Sequence, residues 1–202
     1  KFGTAMIKGF QEGGILSCAK HFPGKGHAKV DSHLSLPVIP YDRKRLFEFE
    51  LLPFQKAIKA GVDAVMTSHV YFPAFESAPN LPGTLSRSVL TDLLRHELGF
   101  KGLLITDDME MGGITEHFEV PEACRLSFLA GADLLLICHD LERQRQAAEK
   151  ILDEVQKTGE ARRRLEESLS RIQTARNRLA SFEPVGESLG ELSARHASLV
   201  EK

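Results

Sequence analysis

The chain is short of several features that would place it in common functional classes. Three cysteines occur in 202 residues, Cys18, Cys124 and Cys138, and three cannot all pair within one chain. Cys18 and Cys138 lie in apolar runs, ILSCAKHF and ADLLLICHD, so buried free thiols are expected rather than a disulfide set or a metal site. This usage fits a reducing compartment, and a cytoplasmic location is the expectation. An excess of one charge is also lacking. Lys and Arg number 26 against 28 Asp and Glu, a net charge of −2, which argues against nucleic acid or an anionic membrane as partner. No apolar run reaches transmembrane length, so no membrane partner is expected. No GxGxxG fingerprint follows an apolar strand-like run: Pro23-Gly24-Lys25-Gly26 is too short and precedes no helical pattern. An initiating methionine is missing as well. The chain opens at Lys1 inside a pattern that already reads as helix, with Ala5, Met6, Ile7 and Phe10 forming an apolar stripe that ends at Gly13-Gly14. A piece of a longer protein is expected, and the lack of a signal-like segment then says nothing about location.

What is present is ordinary for one globular domain with a sizeable core: 42% hydrophobic and 27% charged residues. Ile15 to Ala19 reads as a short buried strand running into Lys20-His21. Residues 22–42 form a long loop with Pro23, Gly24, Gly26, Pro37 and Pro40, and loops of that length are often functional. Residues 43–60 have a helical pattern closed by Gly61, with a break or kink predicted by Pro53. Asp63 to Ser68 is the next strand, followed by His69. Ser86 then caps a helix closed by Gly99, and Gly102 to Thr106 forms a third strand ending at Asp107. A helix over 120–130 ends at Gly131, and Ala132 to Cys138 is a fourth strand ending at His139-Asp140. Two charged helices follow, at about 141–157 and 160–180, in which Arg162-Arg163-Arg164 reads as a solvated face. Residues 1–180 are therefore expected to be the folded part, and 181–202 a polar tail.

Strands alternating with helices predict an α/β fold with parallel strands. The chemically interesting residues all follow strand C-terminal ends: Lys20 and His21, His69, Asp107 and Asp108, His139. Sites of α/β proteins are built there. Asp107 and Asp108 cannot both face one way, because side chains alternate along a strand; one is free for chemistry and the other caps the turn or supports its neighbour. Asp31 and His33, two apart on an extended loop, can touch, and the carboxylate can then orient the imidazole and favour its charged form. The bland reading of that pair is a loop turn, and that of His69 a satisfied core histidine. A zinc site from His21, His27, Asp31 and His33 is allowed by residue type, but no pair has the helical i, i+4 spacing of metal motifs, so no metal is expected. Met109, Met111 and Gly112-Gly113 are expected to shape the wall of the site.

The segments KHFPGKG…DSHLSLP, MTSHV, TLSRSVLTDLLRHELGFKGLLITDDMEMGGI and AGADLLLICHD, in that order, resemble the β-N-acetylglucosaminidase branch of glycoside hydrolase family 3 over roughly residues 1–180. The resemblance implies the C-terminal half of a TIM-like (β/α)8 barrel, with the first four or so β/α units absent. It implies Asp107 as nucleophile, His33 as an unusual acid/base, Asp31 as its dyad partner, and Lys20 and His21 as ligands of sugar hydroxyls. Adjacent strand residues point to opposite faces, so the last two roles together imply a backbone bent at that bond, such as by a non-proline cis peptide. His69 is carried as a further substrate-binding candidate. Lys25 stands where the family often has His, which makes it a weak site candidate. In the family the absent half supplies an Asp and an Arg that grip the sugar, so this segment alone is expected to bind poorly.

The expected function is a retaining exo-β-N-acetylglucosaminidase acting on GlcNAc-containing oligosaccharides, peptidoglycan fragments among them, without a cofactor. A histidine acid/base is physically sensible, since its unperturbed pKa of about 6.5 lies near working pH. One rival is phosphorolysis: phosphate is anionic, and an imidazole repels it less than a carboxylate would. The other is a non-catalytic remnant, whose open edges would make it a homo-oligomer or leave it dependent on a separately supplied N-terminal half.

Overall fold

The computed structural model describes residues 1–26 and 35–182, together with residues 188, 190, 191, 193, 194 and 197. Four strands, β1 (Cys18–Phe22), β2 (Ala64–Thr67), β3 (Leu103–Asp108) and β4 (Leu134–Leu136), form one sheet in the order β1-β2-β3-β4. All neighbours pair in parallel, as the alternation of strands and helices predicts. Every strand therefore begins at one end of the sheet and finishes at the other.

The helices form where apolar periodicity and stop signals place them. Phe2–Glu12 precedes β1; Arg43–Glu48 and Leu52–Lys59 follow it, separated by the break that Pro53 predicts. A wide-turn π-type helix, Ser88–Glu97, leads into β3. Ser86 Oγ accepts from Val89 N at 3.2 Å ahead of it. Val120–Ala130 ends at Gly131, whose φ of +130° favours glycine. Leu141–Lys157 and Gly159–Ala180 complete the described fold.

The two faces of the sheet differ. Ala19, Val65 and Leu104, in register, back onto the helices, and Val65 and Leu104 are fully buried in a cluster with Phe22, Leu51, Phe54, Leu90 and Leu94. The next row, Lys20, Met66, Ile105 and Leu134, faces the other way, and none of the four is buried. Cys18 lies on that open face of the edge strand and is exposed, as is Cys138 just past β4; the expected burial holds for Cys124 alone. Helix Phe2–Glu12 buries only Ile7 of its apolar stripe. Met6 and Phe10 instead line a cavity of about 840 Å³ along β1, together with Phe49 and Leu52.

The end where the strands begin is closed by charge. Asp133, at the foot of β4, has a fully buried carboxylate. It receives Arg95 Nη2 at 2.7 Å, Arg164 Nη2 at 2.9 Å, Arg171 Nη1 at 3.0 Å, Ser168 Oγ at 2.8 Å and Leu104 N at 3.0 Å. Arg164 thus belongs to the interior rather than to the solvated face expected of the arginine run, because helix Gly159–Ala180 lies across the foot of the sheet and turns that residue toward Asp133. Asp63, at the foot of β2, likewise takes Ser17 N and Oγ at 2.8 Å each, Gln11 Nε2 at 2.9 Å, and Arg178 from the same helix.

Burial acts to raise the Asp133 carboxyl, but the Arg95 charge, the Leu104 N–H, the Ser168 hydroxyl and the Arg164 charge outweigh it and hold the group below the usual carboxylate range. Burial lowers Arg95 to about 10, which leaves it charged at neutral pH. Because the folded-state pKa of Asp133 is depressed, its stabilisation is complete above the unfolded value of about 3.9 and is lost as pH falls through the folded value. Asp133→Ala, which strands three guanidinium groups, is expected to cost about 3–5 kcal/mol in urea unfolding at pH 7. Asp133→Asn should flatten the fall of the urea midpoint below pH 4; an unchanged acid limb would show that other carboxylates carry it.

Candidate active site

At the other end of the sheet, the two strand ends that carry candidate residues are irregular. Pairing of β1 with β2 shifts between Lys20 and Phe22, and pairing of β3 with β4 shifts between Ile105 and Asp108. Such irregularities re-aim side chains that strict alternation would send to opposite faces. The peptide bond between Lys20 and His21 is cis, the bend that the alternation conflict called for, and so is that between Phe22 and Pro23.

Asp107 lies at the centre of this end, with its side chain 18% exposed. Its Oδ2 is 3.7 Å from His21 Nε2 and 3.8 Å from Lys25 Nζ. Its Oδ1 accepts from the Asp108 N–H at 3.1 Å. The His21 and Lys25 contacts are ion-pair distances rather than tight hydrogen bonds, so Oδ2 is flanked by two donors without being locked to either. Lys25, weak as a candidate in the sequence, stands as near the carboxylate as His21 does. Its signal was its place in the glycine turn just after Lys20-His21.

Asp108 makes a separate set of contacts. Its Oδ1 accepts from Glu110 N at 3.1 Å and from Cys138 N at 3.3 Å, and its Oδ2 is 3.7 Å from His139 Nε2. This is the turn-capping member of the acidic pair. Lys20 is exposed on the open face, in register with Met66. Met109 is buried in the second core cluster with Ile114 and Val120.

His69 sits in the core. It is fully buried, its Nε2 is 2.8 Å from the Asp108 carbonyl oxygen and its Nδ1 is 2.9 Å from Thr84 Oγ1. A carbonyl only accepts, so Nε2 carries the proton; Thr84 Oγ1, beside Nδ1, also donates to the Ser68 carbonyl at 3.0 Å and lies 2.8 Å from Thr67 Oγ1. Burial lowers the His69 pKa, against the pull of the Asp108 carbonyl and the Asp107 charge, and the ring is neutral. Both ring nitrogens have protein partners, as in the core-histidine reading, and the ring fixes the backbone immediately after Asp107. Asp31 and His33 lie outside the described residues, as does His27. Of the four residues weighed for zinc only His21 is described, and among the described residues no group of three or more potential ligands gathers.

His69→Ala should lower stability by about 2–4 kcal/mol, because it opens a cavity and removes the ring's hydrogen bonds to the Asp108 carbonyl and the Thr84 hydroxyl. The depressed folded-state pKa adds a pH dependence. Its contribution is full above the unfolded value of about 6.5 and is lost as pH falls toward the folded value. Urea midpoints from pH 8 to 5 for wild type and His69→Gln check this; the wild type should lose more on acidification.

Residues 1–175 match the family model described as "Glycosyl hydrolase family 3 N terminal domain". Beta-hexosaminidase A of Pseudoalteromonas piscicida is 34% identical over an alignment of 215 residues that covers 96% of this chain and 36% of that protein. A glycoside hydrolase family 3 beta-N-acetylglucosaminidase from Paenibacillus sp. str. FPU-7 superimposes with a TM-score of 0.85 at 42% identity, covering 93% of this chain and 36% of the other. A beta-glucoside phosphorylase, solved bound to 2FGlc, superimposes with a TM-score of 0.79 at 28% identity, over 88% of this chain and 33% of the other. The chain thus spans about a third of the length of these relatives. A four-stranded parallel sheet flanked by helices, with Asp107 at a strand's C-terminal end, is the fold of that domain, half of a TIM-like (β/α)8 barrel, and the chain belongs to glycosyl hydrolase family 3.

Proposed function

We propose that this chain carries the nucleophile and the acid/base of a retaining exo-β-N-acetylglucosaminidase that removes terminal β-linked GlcNAc from oligosaccharides, peptidoglycan fragments among them. The observation that carries the reading is Asp107: a partly exposed carboxylate at the end of β3, with the imidazole of His21 and the ammonium of Lys25 converging on one oxygen. In the proposed reaction Asp107 attacks the anomeric carbon as the glycosidic bond breaks, and the departing oxygen takes a proton from His33. His33, oriented by Asp31, then removes a proton from water, which attacks the anomeric carbon and releases Asp107. Lys20 and His21 bind sugar hydroxyls, and His21 lies close enough to Asp107 to hold a ring over it. No step calls for a cofactor. The names of the relatives support this reading: beta-hexosaminidase and beta-N-acetylglucosaminidase.

The likeness to a beta-glucoside phosphorylase favours a second reading, in which phosphate replaces water in the second step. The two differ in product, free sugar against sugar 1-phosphate.

Turnover of a chromogenic β-GlcNAc substrate by the full-length protein, followed with and without phosphate, tests both. Asp107→Ala should reduce kcat by at least about 10³-fold, and azide should partly restore it by forming a glycosyl azide in place of the covalent enzyme intermediate. His33→Ala should cost roughly 10²–10⁴-fold, less with a good leaving group because protonation then matters less. Full activity in Asp107→Ala would end the assignment.

A further inference from the structure

Glu50 lies in the break between helices Arg43–Glu48 and Leu52–Lys59, and its side chain is only 4% exposed. Fold stability does not explain a carboxylate there. Its Oε1 is 3.8 Å from Arg45 Nη2, too far for a hydrogen bond. Its Oε2 and Arg45 Nε are both buried and have no hydrogen-bond partner among the described residues. Such groups cost stability, and an apolar residue would serve packing as well.

What Glu50 does touch is the turn beside Asp107. A Cβ on Gly24 would fall 3.1 Å from both the Cβ and the carbonyl oxygen of Glu50. One on Gly26 would fall 3.1 Å from its Cγ and from Oε1. The two glycines hold φ of +118° and +46°, and Gly24 N donates to His21 O at 2.8 Å. The turn therefore packs closely on Glu50, Gly24 over its Cβ and backbone carbonyl and Gly26 over its Cγ and Oε1, and between the two glycines stands Lys25, which reaches Asp107. Glu50 is in turn fixed by the helix break: Leu51 N donates to Leu46 O at 2.8 Å, and Leu51 and Phe54 are buried on either side of Pro53.

We infer that Glu50 is a positioning residue, a shelf that sets the height of the Pro23–Gly26 turn and hence the reach of Lys25 and His21 to Asp107. The kinetic part of this rests on the glycosidase reading; the structural part does not. Hydrogen exchange of the full-length protein reads the structural part. Glu50→Ala should speed exchange of the Gly24 amide at least about tenfold and leave the amides of Gly159–Ala180 unchanged, while Glu50→Gln, which keeps the shelf, should match wild type. Unchanged exchange at Gly24 in Glu50→Ala overturns the proposal, whatever the activity. With an active wild type, Glu50→Ala should lower kcat roughly ten- to hundredfold, the size of an ångström-scale misplacement, with a smaller change in KM, and Glu50→Gln should recover most of it. Loss in Glu50→Gln equal to that in Glu50→Ala would overturn the shelf in favour of the charge. An inactive wild type with the expected exchange pattern would sink the glycosidase reading alone.

Discussion

Parallel pairing of the four strands is the constraint from which the rest of the structure follows. It assigns every strand start to one end of the sheet and every strand finish to the other, so residues far apart in sequence meet without long-range threading. His21 and Asp107 are brought to 3.7 Å because each stands at the end of its own strand and the strands run the same way. Reversal of either strand would separate them by the height of the sheet.

The two ends obey different physics. At the foot, Asp63 and Asp133 are buried and saturated with donors, and both are tied to the one helix Gly159–Ala180, through Arg178 and through Arg164 and Arg171. Buried charges survive when their oxygens are met by donors, and each oxygen of these two carboxylates is. At the top, contacts to Asp107 Oδ2 are long and its surroundings partly open. The foot is held by short charge-assisted hydrogen bonds, whereas Asp107 Oδ2 keeps only long contacts to His21 and Lys25 among the described residues. Neutral His69 links the two regimes: it is fully satisfied itself, and it pins the Asp108 carbonyl one residue beyond Asp107.

Most of the architecture was legible in the sequence because it is written locally. Hydrophobic runs marked β1 to β4, Gly131 closed a helix, Pro53 broke one, and alternation of elements implied the parallel sheet. Asp107 was legible too, since a carboxylate closing an apolar run is a local feature. The cis bond at Lys20-His21 was expected only through the resemblance, which gives two adjacent side chains a role at one site. Exposure was less legible. Cys18 sits in an apolar run, yet whether that run is covered depends on what lies across the open face of the sheet.

The sequence by itself thus determined the elements, their parallel order and the strand ends where chemistry gathers, because hydrophobic period, capping and turn residues act over a few positions. Tertiary structure alone decided which polar residues work together. It sent His69 into the core between Thr84 and the Asp108 carbonyl. It turned Arg164 from solvent to Asp133, raised Lys25 to equal standing with His21, and placed Glu50 beneath the glycine turn. Each of those outcomes hangs on partners 15 or more positions away, whose distance and direction are set by packing rather than by any pattern within the segment.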